Sequence, residues 1–200
     1  MRILLIGATG TLGRAVHSML DGRGHDIVTA ARKDADLAVD ITDPGSIRAM
    51  YERVGSVDAV ANAAGWVPWK PFGELGHEDV LAGLRGKALS QVDLVREGLA
   101  HVAPGGSFTL VTGVLARDQL FTGTVAALAN GAVEAFVRAA AIELPDHRRI
   151  NVVSPTVFTE SMDAYGDLFV GWKPVPVAEA ARAYLRSVEG RHTGRVYVVE

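Results

Sequence analysis

Three glycines near the start of the chain carry its clearest chemistry. Gly7, Gly10 and Gly13 enclose Ala8, Thr9, Thr11 and Leu12, between an apolar run from Arg2 to Ile6 and a helical pattern that begins at Thr11. Glycine lets backbone come close to an anion. A helix N-terminus adds unpaired N–H groups and the positive end of a dipole. In a strand-turn-helix context, that combination suits a pyrophosphate. A second set of residues suits a flat apolar compound. Trp66, Trp69, Phe72, Phe121, Phe158, Tyr165, Phe169 and Trp172 come from loops after strand ends or from segments beside them, where a ring can stack. Thr112 brings a hydroxyl to the C-terminal end of its strand, the edge at which open α/β sheets take ligands. Other chemistries lack their residues. Cysteine is absent, the six histidines show no HxxxH or HxH spacing, and no serine stands in a GxSxG turn. Thiol catalysis, a metal site and a hydrolase triad therefore have no anchor.

The elements that must position these residues alternate between two periodicities. Arg2 to Ile6 reads as a strand buried on both faces. Leu12, Ala15, Val16, Met19 and Leu20 have helical spacing. Asp26–Ala31 and Leu37–Val39 are the second and third strands. Asp43-Pro44 starts a helix, with an N-cap and a proline at its first position, and that helix runs to about Val54. Val57–Ala63 is a fourth strand, and a long helix is expected from about Glu78 to His101. Strands follow at Ser107–Thr112 and Arg149–Val153, separated by an alanine-rich helix over Thr124–Leu144. Pro155 to Pro176 is irregular. A helix over Ala178–Val188 and a strand over Arg195–Val199 complete the chain. Alternation almost without exception demands right-handed crossovers and a parallel sheet with helices on both faces. One domain over residues 1–200 accounts for every element.

Composition narrows the function classes. The 200 residues carry 20 Lys+Arg against 23 Asp+Glu, a net charge of −3 with no block of like charge. Nucleic-acid and membrane-surface binding have no electrostatic support. The longest apolar runs stop far short of 18 residues, so no membrane span is expected. Absent cysteine and the lack of a cleavable leader pattern fit a reducing, cytoplasmic compartment.

The glycine turn has GxxGxxG spacing, and Asn62-Ala63-Ala64-Gly65 follows the fourth strand. Together these resemble the short-chain dehydrogenase/reductase family. The likeness continues through Asp40-Ile41-Thr42-Asp43, Val133-Glu134 to Leu144, Ile150 to Pro155 and Thr193 to Val196. It implies a single Rossmann domain of seven strands in the order 3-2-1-4-5-6-7, with almost no helix between strands two and three. It further implies a nicotinamide cofactor. The implied cofactor contacts are Gly7, Thr9, Gly10, Thr11, Leu12 and Gly13 at the phosphate turn, Asp40 and Ile41 at the adenine, and Asn62, Ala63, Gly65, Asn130 and Pro155 elsewhere along the site, while the irregular stretch from Pro155 to Pro176 would cover the substrate. Family members that prefer NAD place an acid at the end of the second strand. Here Ala31 and Arg32 stand there, and an arginine suits a 2′-phosphate, so the cofactor expected is NADP (NADPH). The family's fourth and fifth helices pair across two-fold axes. With small residues along the fifth, a homodimer or homotetramer is expected.

The resemblance fails at the family's reacting groups. The serine, tyrosine and lysine positions fall on Gly113, Ala126 and Asn130, and no tyrosine or lysine lies between Ala88 and Ala164. Three other residues are candidates for the proton donor. Lys87, on the fourth helix near the nicotinamide, comes first, then Thr112 and Tyr165. Two readings stay open. One is an oxidoreductase acting on a small carbonyl or quinone-like substrate, with aromatic character, by a non-standard donor. The other is a catalytically silent NADP(H)-binding sensor or scaffold.

Overall fold

The computed structural model describes residues 1–200. Seven strands form one parallel sheet in the order β3-β2-β1-β4-β5-β6-β7. They are β1 (Arg2–Ile6), β2 (Asp26–Ala31), β3 (Leu37–Ala38), β4 (Val57–Asn62), β5 (Val102–Val111), β6 (Arg149–Pro155) and β7 (Val196–Val199). The helices are α1 (Thr11–Asp21), α2 (Pro44–Val54), α3 (His77–Gly83), α4 (Ser90–Gly98), α5 (Thr124–Glu143), α6 (Met162–Tyr165) and α7 (Val177–Glu189).

Strand β1 shows how sequence dictates the layers. Leu4 and Ile6 point into one core with residues of α2, α4 and α5. Ile3 and Leu5 point into the other with residues of α1 and α7. Alternate side chains of a strand lie on opposite faces, and a strand covered on both faces must be apolar throughout.

Two elements depart from the sequence expectation. The helix expected over 78–101 is three pieces, because a π turn over Leu84–Leu89 separates α3 from α4. A π turn adds one residue to a helix without changing its composition, so composition does not reveal it. β5 begins at Val102, five residues early. Val57 pairs with Val102 and Ala59 with Ser107, so the intervening residues bulge out of register. Pro104-Gly105-Gly106 reads as a turn, and Gly106 is required there: a Cβ would stand 2.5 Å from the Asp58 carbonyl oxygen. The covering segment also contains more order than expected, with the short helix α6 and a bridge between Phe158 and Val175.

Helix α5 corrects the membrane argument in part. Its 20 residues are long and apolar enough to cross a membrane by length and composition. Val125, Ala129, Val133 and Val137 are instead buried in the core. On its outer side Leu128 and Ile142 are exposed, Ile142 at 88%.

Candidate cofactor and substrate site

Two of the three glycines in the turn, Gly7 and Gly13, leave no space for a side chain. Gly7 has φ +79°, a conformation that disfavours side chains, and its missing Cβ would stand 2.9 Å from the Ala63 carbonyl carbon and the Ala64 nitrogen. A Cβ on Gly13 would stand 2.0 Å from the Gly7 carbonyl oxygen and 2.8 Å from the Ala8 Cα. Gly10 is the N-cap of α1, and its backbone is extended. No side chain caps the helix and no acid stands in its first turn. Its N–H groups are therefore left to a ligand. Arg14, on that first turn, turns back to the Thr9 carbonyl. Leu12 is buried and contributes backbone only.

At the adenosine end, Arg32 is exposed and makes no ion pair of 4 Å or less. Asp40 makes its own turn. Its carboxylate accepts from the Thr42 hydroxyl at 2.7 Å and the Thr42 N–H at 2.9 Å. Those two bonds, aided weakly by the charge of Arg32, hold its carboxyl below the ordinary range. Ile41 packs half-buried against the core.

Asn62 supports the turn rather than facing a ligand. It is fully buried, and its amide donates to the Ala64 carbonyl and to Gln91 Oε1 while accepting from the Ala64 N–H. Gln91 completes this junction. Its Oε1 also accepts from the Val111 N–H, and its Nε2 donates to the carbonyls of Val111 and Lys87. One glutamine side chain thus joins the ends of β4 and β5 to the π turn. From the other face of the sheet the Tyr184 hydroxyl donates to the Asn62 carbonyl, and burial raises its pKa. Ala63 continues the β1 ladder, its N–H donating to the Ile6 carbonyl. Sequence reasoning did not single out Gln91, since a lone glutamine on a helix carries no pattern.

Beyond this junction lies a cavity of about 270 Å³. It brings together the three proposed donors, Lys87, Thr112 and Tyr165, with three residues of the proposed cofactor set, Gly65, Asn130 and Pro155. Trp66, Trp69, Phe158 and Phe169 form aromatic wall, and the Trp69 and Tyr165 rings stand 6.5 Å apart. Trp172 lines a separate cleft, and Phe72 and Phe121 are exposed away from both. The positions that lack reacting groups, Gly113 and Ala126, also face the cavity.

The polar groups differ in what they offer. Lys87 projects from the π turn and is half-buried. Its Nζ has no hydrogen-bond or ion-pair partner, and desolvation pushes its pKa down to about 8. Gly65 lies against this side chain, and a Cβ there would stand 3.3 Å from Lys87 Cγ. Thr112 requires a correction as a proton donor. Its hydroxyl donates to Glu134 Oε1 at 3.1 Å, which leaves only lone pairs for the cavity. Glu134 also accepts from Ser154 at 3.0 Å and lies 3.6 Å from Arg117, which bonds the Ser154 hydroxyl and approaches Glu200. Glu134 is buried behind Thr112 and, with Asn130, makes the polar part of the buried face of α5. Asn130 donates weakly to the Gly113 carbonyl at 3.5 Å, and its buried Oδ1 has no partner. An orphaned buried acceptor costs stability unless a ligand serves it.

A dinucleotide fits these features. The turn between Gly7 and Gly13 would hold the pyrophosphate, Asn130 Oδ1 would accept from a ribose hydroxyl, and the cavity would seat the nicotinamide end beside a substrate.

Comparison with known proteins agrees with the fold. The family model described as enoyl-(acyl carrier protein) reductase matches residues 13–173. L-xylulose reductase from Mesocricetus auratus is 28% identical over 178 residues, covering 80% of this chain and 73% of that protein. The structure of lin1944 from Listeria innocua superposes with a TM-score of 0.98 at 46% identity, with both chains fully covered. A small-chain dehydrogenase in complex with NADPH shares the fold, with a TM-score of 0.88 at 23% identity over all of this chain and 96% of that one. The family match runs from the helix behind the phosphate turn to the segment that covers the cavity, and the chain therefore belongs to the short-chain dehydrogenase/reductase family.

Proposed function

We propose that this chain is an NADP(H)-dependent oxidoreductase acting on a small, flat carbonyl or quinone-like compound. The observation that carries the reading is the glycine cradle, kept to a tolerance that excludes any Cβ at Gly7 and Gly13 and continued by a cavity with one free cation. The bound nicotinamide would supply hydride at its C4. The chain would do the rest. Aromatic walls orient the substrate and exclude water, Asn130 holds the ribose, and Lys87 stabilises the developing alkoxide and yields a proton to it. Arg32 has no acidic partner of its own and would meet the 2′-phosphate. The small-chain dehydrogenase that holds NADPH supports this choice through fold alone.

Titration calorimetry tests the cofactor assignment. NADPH should bind more tightly than NADH, and Arg32→Ala should erase most of the difference. A charge-assisted contact is worth about 1.5–3 kcal/mol, so the loss should be tenfold or more. Equal affinities in the unaltered protein would refute the assignment.

A second reading, a silent NADP(H)-binding sensor or scaffold, is favoured by one observation: alanine and glycine line the cavity where the family's tyrosine and serine would stand. It would be preferred if NADPH binds and no carbonyl or quinone is turned over.

The exposed stripe on α5, with Leu128 at 49% and Ile142 at 88% exposure, supports pairing between copies of the chain as a homodimer or homotetramer. Light scattering at micromolar concentration should give at least twice the 21.2 kDa chain mass, and a monomer would count against it.

A further inference from the structure

The substrate cavity contains a charge without a counter-charge. Lys87 is its only charged lining residue, and no aspartate or glutamate faces it. The acids on the elements packed against the π turn are occupied or turned away. Asp79 of α3 pairs with Lys70, Asp93 of α4 with Arg96, and Glu134 of α5 lies beside Arg117, while Glu78 is exposed. Nor does any backbone carbonyl accept from Nζ. An ammonium half-removed from water with no acceptor is costly, so a cavity that keeps one is suited to a ligand that supplies the anion. The remaining wall restricts that ligand's shape. Trp66, Trp69, Phe158, Tyr165 and Phe169 present ring faces and edges, which favour a flat π-system. The volume, about 270 Å³, admits one or two fused rings shared with the nicotinamide end.

We propose that the ligand of this cavity is an aromatic carboxylate whose anionic group pairs with Lys87. This inference rests on the oxidoreductase reading only for its consequence in turnover. There, the reacting carbonyl would sit next to the carboxylate, as in an aromatic 2-oxo acid. A single ammonium has three N–H groups, enough to hold the carboxylate and still reach the neighbouring carbonyl oxygen.

Binding separates the two ideas. The protein saturated with NADPH is titrated by calorimetry with 1-naphthoate, with its neutral amide 1-naphthamide, and with phenylglyoxylate. The carboxylate should bind at least tenfold more tightly than the amide near pH 7. That preference should fall as pH rises through about 8, where Lys87 loses its charge. The pH series needs no variant and does not depend on one folding. Lys87→Met should abolish the preference while NADPH still binds, and Lys87→Arg should keep it. Equal binding of acid and amide, a preference that survives Lys87→Met in a protein that still binds NADPH, or a preference unchanged up to pH 10 would each overturn the proposal. Phenylglyoxylate also reports on the chemistry. Its carbonyl carbon would take hydride from NADPH and its oxygen a proton, giving mandelate and NADP⁺. If phenylglyoxylate binds with the charge preference and is not reduced, the anion site stands and the oxidoreductase reading fails. If it is reduced with no charge preference, the reverse holds.

Discussion

Gly13→Ala should abolish measurable NADPH binding and lower the stability of the whole protein. Alanine is a good helix former, and on propensity alone the change should help α1. Geometry reverses the sign. The added methyl would stand 2.0 Å from the Gly7 carbonyl oxygen and 2.8 Å from the Gly7 carbonyl carbon and the Ala8 Cα, all of them backbone atoms. Backbone cannot rotate aside as a side chain can, so the helix start must retreat by about an ångström from the turn. Overpacking of this kind costs about 1–3 kcal/mol, read as a lower denaturation midpoint at unchanged slope. Binding suffers more, because the N–H groups of the first turn move with the helix. Each charge-assisted bond lost costs about 1.5–3 kcal/mol, so two such losses exceed a hundredfold. Near-native NADPH affinity in Gly13→Ala would show that the pyrophosphate does not lie against this turn.

Lys87→Met should lower turnover of a neutral quinone such as phenanthrenequinone by at least about 10²-fold, the low end for general acid–base catalysis. NADPH affinity should change little. In the unaltered protein the reduction rate should fall as pH rises through about 8. The group must be protonated to donate, and burial has brought its loss of charge into that range. Lys87→Met should lack that fall. Thr112→Val should cost less, since the Thr112 proton is already directed at Glu134. Tyr165→Phe tests the only tyrosine lining the cavity. If quinone turnover is unchanged by all three substitutions, water is the proton source and no side chain replaces the family's tyrosine.

The fold was legible because its signals are local and repeated. The continuous apolar strand at Arg2–Ile6, the glycine turn and the alternation of periods each imply a parallel sheet, and the strand order follows the family's. The grouping of Lys87, Asn130 and Tyr165 was also legible, since each lies at or near the C-terminal edge of the sheet, where ligands bind. What the sequence hid was partnership. Nothing in the run around Asn62 indicates that its amide is turned inward to Ala64 and Gln91, nor that Thr112 faces a buried carboxylate twenty-two residues away. Hydrogen-bond direction depends on side chains meeting across the sheet, and period and composition do not encode it. The bulge in β5 and the π turn escaped for a related reason: both alter register without altering composition.

That π turn fixes a length as well as a shape. An α-helix advances about 100° per residue, and a π turn accommodates one residue more than the α pattern without unwinding its neighbours. Between Gly83 and Ser90 the extra residue sets the angular relation of two half-helices that are anchored separately. Gly83 packs so close to α5 that a methyl would stand 2.2 Å from Val125, and Gln91 is tied to β4 and β5. With both ends clamped, deleting one residue would leave the span nearly unchanged yet turn the segment between them by about 100°. Lys87 would then swing from the cavity wall toward the outside. Residue count in this stretch is thus an angular coordinate, and it conserves the direction of a charge rather than the reach of a loop.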